Sequence, residues 1–199
     1  MITQLPSLTY HPVVTELFAP STVGLLLQVW EHRHEVHQVL DGLPHSICHQ
    51  DLFPRNAFVR VADGAEQTVA IDWAFCGWAA LGAELAPLLG ASLGFFEADC
   101  DQADELERLC LDAYLEGLRL TGWDGPRDDV FLGYLAAIVL RFMVGTVGPM
   151  LTVTLDNTLG AMVEQVFGHP KPVVIARWRE INAFNEPHLA SLLTTLGYA

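Results

Sequence analysis

The chain has 199 residues, 51% of them hydrophobic, which is ample for the core of one domain or one large lobe and excludes a disordered chain. Its 24 acids against 10 bases give a net charge of −14, which argues against nucleic acid and against anionic membrane surfaces as partners. Four cysteines, Cys48, Cys76, Cys100 and Cys110, show no Cys-x-x-Cys spacing and read as free, mostly buried thiols of a cytoplasmic protein, and no leader of basic then apolar residues precedes Pro20.

Residues 1–20 carry Pro6, Pro12 and Pro20 and read as a loop-like lead-in. Ser21 or Thr22 is placed to cap a helix running to about Leu40, with Leu25, Leu26, Val29, Val36 and Leu40 as its apolar stripe. His32, His34 and His37 lie on that helix, but they lack the His-Glu-x-x-His spacing that sets two histidines on one face for a metal. They read as part of its solvated side. Leu43 to Ile47 is extended. Ala57 to Val61 and Thr68 to Trp73 read as two strands, joined through the hairpin signal Asp63-Gly64. Helices are expected over 81–94 and 101–120, and from Gly125-Pro126 onward with Asp128 and Asp129 in the first turn. Further helical segments fall near 153–167, 173–183 and 186–197. The run Val130 to Leu155 is nearly apolar, but Arg141 sits in it and Gly145, Gly148 and Pro149 interrupt it. A buried helix is the expectation there, not a membrane span.

Between these parts lies His49-Gln50-Asp51-Leu52-Phe53-Pro54-Arg55-Asn56, and after the hairpin comes Ile71-Asp72-Trp73. Phosphoryl transfer from ATP needs a carboxylate to take the acceptor hydroxyl's proton. It also needs an amide oxygen and a second carboxylate to hold Mg²⁺ on the phosphates. Asp51, Asn56 and Asp72 are those groups in that order. Asn56 enters the hairpin and Asp72 leaves it, so antiparallel pairing would bring the two metal ligands together. The competing reading makes Asp51 and Asn56 turn formers around Pro54 and Asp72 a turn cap. It does not explain why an acid follows the apolar run Val69-Ala70-Ile71. His49 reads as a hydrogen-bonded buttress of the loop or as a participant in the chemistry. Arg55 reads as a phosphate contact or as a salt-bridged surface arginine. Trp73 and Trp78 read as core residues by default or as walls for a cationic acceptor. Asp99, Asp101, Asp104 and Glu105 read as a solvated helix start or as a polyamine site.

The loop and the Ile-Asp-Trp step resemble the aminoglycoside phosphotransferase and choline kinase branch of the protein-kinase-like fold. Loops of that branch read His-Gly-Asp-x-x-x-x-Asn and then Ile-Asp-Trp. Gly77 and Glu84 to Leu89 look like the Gly and the Asp-Leu-Ala helix that follow the metal acid in that family. Ala79-Ala80-Leu81 stands where the family has Gly-Asp-Pro, and Glu84 where it has Asp, both departures in the support of the loop. The resemblance covers about residues 43–90. It implies a mainly α (α+β) fold: the helical C-lobe of a kinase-like protein, with a short β-hairpin carrying the catalytic and metal loops. The chain is then one unit, with a lead-in 1–20, a catalytic part 43–90 and a helical subdomain 91–199.

By the same resemblance, the activity is ATP- and Mg²⁺-dependent transfer of the γ-phosphate to a hydroxyl of a small molecule. Asp51 and His49 are the catalytic residues, Arg55 contacts the nucleotide, and Asn56 and Asp72 hold the metal. The acidic balance is compatible with a cationic acceptor. Only 48 residues precede His49, they contain no Gly-x-Gly-x-x-Gly, and the one lysine, Lys171, follows the loop. An absent N-lobe and an incomplete kinase are therefore expected, with a non-catalytic remnant or binding module as the alternative. A metal-dependent hydrolase on Asp51 and Asp72 would need a histidine ligand beside them, and only His49 is near.

Overall fold

Prolines set where the first helices begin. After a 3-10 turn at Ile2–Gln4 come α1 (Leu5–Leu8), α2 (Pro12–Leu17) and α3 (Pro20–Glu31). A proline in the first helical turn gives up an N–H that has no intrahelical partner anyway, so Pro12 and Pro20 start helices. The computed structural model describes residues 2–8 and 10–198, and in it the lead-in is helical, contrary to the loop expected from its prolines. Leu5, Val14, Leu17 and Phe18 bury themselves in the main core, which is what holds these short helices in place.

The helix expected to run to Leu40 is two helices. α3 ends at Glu31 and α4 (Arg33–Gly42) starts after His32. Ala19, not Ser21 or Thr22, is the N-cap of α3. Both hydroxyls instead donate to the Glu186 carboxylate, Ser21 at 2.8 Å, and so tie α3 to the last helix of the chain.

Two small antiparallel sheets follow. β2 (Ala57–Ala62) and β3 (Ala65–Ala70) form the hairpin, with Ala57 opposite Ala70 and Ala62 opposite Ala65. Asp63 and Gly64 at its tip both have positive φ, as the tight turn requires. The second strand begins and ends three residues earlier than the sequence suggests. Asp72 turns left-handed and Trp73–Phe75 forms a 3-10 turn. β1 (His45–Cys48) pairs with β4 (Gly77–Ala80), His45 opposite Ala80 and Cys48 opposite Gly77. β4 is not foreseen in the sequence, where Gly77, Trp78 and the Ala79-Ala80 departure are each singled out but never as a strand.

The remainder is helical: α5 (Leu85–Gly94), α6 (Ala103–Leu120), α7 (Arg127–Ile138), a π-helical segment Val139–Val144, α8 (Val147–Leu155), α9 (Gly160–Phe167) and α10 (Lys171–Thr195). α10 passes through Pro187 unbroken, where two separate segments were expected. It packs along α2, α3, α5, α7 and α9, with Leu189, Leu192 and Leu193 buried beyond the proline. That burial outweighs a mid-helix proline's cost of about 3 kcal/mol. The apolar stretch Arg127–Leu155 is long and apolar enough to cross a membrane by length and composition, and half of its most apolar window is buried in the bundle. Tyr134, Leu135, Ile138, Met143 and Leu151 from this stretch are core residues. The thiols are less buried than expected: Cys48 is buried, Cys100 and Cys110 are partly so, and Cys76 is exposed.

A charged group sits at the α6–α7–α10 junction. Glu107 Oε1 lies 2.5 Å from His188 Nε2, beside the buried Tyr134 ring. Burial pushes the Glu107 carboxyl up, but the hydrogen bond from His188 and the neighbouring Tyr134 hydroxyl more than reverse this and hold it below its ordinary value. A depressed carboxylate stabilises the fold above its unfolded value of about 4.3 and loses that contribution as pH falls through the folded one. Urea titrations at pH 6, 4 and 3 are therefore expected to show a steep acid-side loss of stability. Glu107→Gln should flatten that loss and lower stability at pH 6.

Candidate functional site

The loop after β1 is held from three sides. His49 is buried, and its Nε2 lies 2.7 Å from the Ile71 carbonyl oxygen, so the ring N–H donates across to the residue just before Asp72. The same ring lies 4.7 Å from the Trp73 ring. This is the geometry of a buttress. Gln50 has φ +63, a left-handed conformation that costs a residue with a Cβ about 1–2 kcal/mol. Its N–H donates to both carboxylate oxygens of Glu84, at 3.0 and 3.1 Å. Its carbonyl accepts from Arg141 Nη1. Glu84 is buried at the start of α5, so the acid that departs from the expected Asp still serves as the loop's support.

Asp51 and Asn56 touch. Asn56 Nδ2 donates to the Asp51 carbonyl at 2.9 Å and to Asp51 Oδ2 at 3.2 Å. The buried amide thus turns its NH₂ end to Asp51, and Oδ1 is left as the end that can ligate a cation. Asp51 Oδ1 lies 3.4 Å from Arg141 Nη2. The hairpin register continues past Ala57 and Ala70: the Ile71 N–H donates to the Asn56 carbonyl at 3.0 Å. Asp72 therefore follows a residue bonded to both Asn56 and His49. Its own left-handed backbone, φ 60 and ψ 61, turns the chain out of the strand direction at that point. The structure brings Asp51 and Asn56 into contact and anchors Asp72 through its neighbour to the same loop.

The two candidate ligands, the Asn56 amide oxygen and the Asp72 carboxylate, are oxygen donors only. They suit Mg²⁺, which takes one or two protein carboxylates and completes its shell with water and phosphate oxygens. Among the described residues no group of three or more His, Cys, Asp or Glu stands together as a metal cage. Of the His49 ring, Nε2 is taken up by the Ile71 carbonyl oxygen, and Nδ1 is buried without a hydrogen-bond partner.

Arg55 forms an ion pair with Glu97 at 2.8 Å and lies 4.4 Å over the Phe95 ring, which in turn stacks on Phe53 of the loop. Trp73 and Trp78 are 52% and 71% exposed, so the default reading of both as core residues is wrong. Ile47, Phe58, Val59, Val61, Ile71 and Phe75 are exposed as well, on both faces of the hairpin and around the Asp72 turn. Asp99, Asp101 and Asp104 line a cavity of about 710 Å³ with Arg177 and Glu180, while Glu105 pairs with Arg108 on the α6 surface. Lys171 is tied to the Asp156 carbonyl at 2.9 Å.

Arg141 escapes a reading of the sequence as a site residue. Its signal is present, a lone arginine in an apolar run, but there it speaks only against a membrane span. Glu84 stands out in the sequence as a departure in the support of the loop, without the partner that the structure gives it, the Gln50 N–H.

A family model, that of the phosphotransferase enzyme family, matches residues 9–127, more than half of the chain. The chain belongs to that family. No curated protein and no solved structure matches it. The matched span of this phosphotransferase contains the whole His49 to Asn56 loop, the hairpin, Asp72 and Glu84, and it ends before Arg141.

Proposed function

We propose that this phosphotransferase is the helical lobe of a protein-kinase-like fold and transfers the γ-phosphoryl group of ATP to a hydroxyl of a small molecule with Mg²⁺. The contact between Asn56 and Asp51, closed by the Asn56–Ile71 backbone bond, carries the reading. Bound Mg·ATP supplies the electrophilic phosphoryl group and the charge neutralisation that its transfer needs. Asp51 orients the acceptor hydroxyl and takes its proton. Asn56, through Oδ1, and Asp72 are the metal ligands. His49 fixes the Asp72 turn through Ile71, and Glu84 fixes the Asp51 turn through Gln50. Arg55 reaches the nucleotide only by exchanging Glu97 for a phosphate oxygen. The acid surplus suits a cationic acceptor, carried with its ammonium away from Arg141, and suits neither nucleic acid nor an anionic membrane. The free thiols fit a cytoplasmic setting.

The exposed apolar residues Trp73, Phe75, Phe58 and Val61 support a second, nucleotide-binding half seated over the metal ligands. The other reading is a non-catalytic remnant of such a kinase. Calorimetric titration with a non-hydrolysable ATP analogue separates the two. Micromolar binding that requires Mg²⁺ and is lost in Asp72→Asn is expected. A chain that never binds the analogue with Mg²⁺, alone or with an N-terminal lobe, is a remnant.

A further inference from the structure

We propose that Arg141 is a positioning residue: with Glu84 it clamps Gln50 and so fixes the direction of the Asp51 carboxylate. Its consequence for turnover rests on the phosphotransferase reading, while its geometry does not.

Gln50 is held at both ends by opposite charges. A carboxylate takes its N–H, and a guanidinium serves its carbonyl. The residue between them sits at φ +63, which a glutamine adopts only when its surroundings enforce it. Asp51 is the next residue, so the peptide that Arg141 grips is the one that aims Asp51. The planar fork of the same guanidinium brings Nη2 to Asp51 Oδ1, while Asn56 holds Oδ2. Both carboxylate oxygens are thus oriented from opposite sides. Lysine, a single point charge, cannot hold the carbonyl and the carboxylate in that fixed geometry.

Arg141 belongs to the π-helical segment, where the Gly145 N–H reaches back five residues to the Leu140 carbonyl. Single π turns of this kind recur at functional positions. The side chain is 43% exposed, while its neighbours Val139 and Met143 are buried.

The test compares the full chain with Arg141→Met, Arg141→Lys, Gln50→Gly and the Gln50→Gly/Arg141→Met pair. Amide hydrogen exchange is read over residues 50–56, and Mg·ATP turnover is read with water as the acceptor. Arg141→Met is expected to speed exchange in the loop about tenfold while the α5 and α7 core amides keep their protection. Turnover is expected to fall by up to about 100-fold in kcat with KM for ATP unchanged. Arg141→Lys should restore part of both. Glycine needs no enforcement at positive φ, so Arg141→Met should cost less in the Gln50→Gly background. Unchanged loop exchange in Arg141→Met overturns the clamp, and so does an equal loss in the Gln50→Gly background. If the loop responds as expected but the wild type never turns over ATP, alone or with an N-terminal lobe, the clamp stands and the phosphotransferase reading falls.

Discussion

Asp51→Asn is expected to lower phosphoryl transfer by about 10²–10⁴-fold with no change in fold. The substitution is nearly isosteric. Asn56 keeps its 2.9 Å bond to the residue 51 carbonyl, and the new amide oxygen can still accept from Asn56 Nδ2 or Arg141. What disappears is the ability to receive a proton from the acceptor hydroxyl. Asp51→Ala removes the orienting contact as well and should fall at the lower end of the activity range. Measuring kcat and KM for ATP, with far-ultraviolet circular dichroism as the fold control, decides the matter. A rate within threefold of wild type would remove Asp51 from the chemistry.

The loop geometry is legible because it is local. His49, Asp51 and Asn56 fall in eight consecutive residues, and the Asp63-Gly64 tip fixes the register that returns Ile71 to Asn56. The helical majority is legible from apolar spacing. Three things are not. The helices α1 and α2 are hidden by prolines, whose local meaning depends on whether a core lies beneath them. Pro187 reads as a breaker, although packing against the surrounding helices carries α10 through it. The contacts of Glu84 and Arg141 with Gln50 span 34 and 91 residues, and no periodicity announces an ion meeting a backbone group at that distance. Trp73 and Trp78 fail for a related reason. Composition favours burial for tryptophan, whereas the structure leaves both on a surface around the Asp72 turn.

Gly133→Ala is expected to be the most damaging single-methyl change in the bundle. Glycine to alanine inside a helix ordinarily stabilises by up to about 1 kcal/mol. Here the added Cβ would lie 2.0 Å from the Leu81 carbonyl oxygen, a backbone atom that cannot swing aside. Gly82 mirrors it, with φ +86 and a Cβ that would lie 2.0 Å from the Val130 carbonyl oxygen. The two glycines let α7 lie directly on the turn after β4. Forcing them apart costs about 2–3 kcal/mol after the helix-propensity gain, which for a chain of this size lowers the melting temperature by roughly 5–10 °C. Gly117→Ala in α6 is the control: nothing lies within 4 Å of its Cβ, so it should be neutral or slightly stabilising. The shift has a second effect. Leu81 leads into Glu84, and α7 leads into Arg141, so moving the helix off the turn opens the grip on Gln50 from both sides. Turnover in Gly133→Ala should fall further than its remaining folded fraction accounts for, and the same methyl at Gly117 should leave turnover alone. Equal activity per folded molecule in the two variants would uncouple the glycine contact from the catalytic loop.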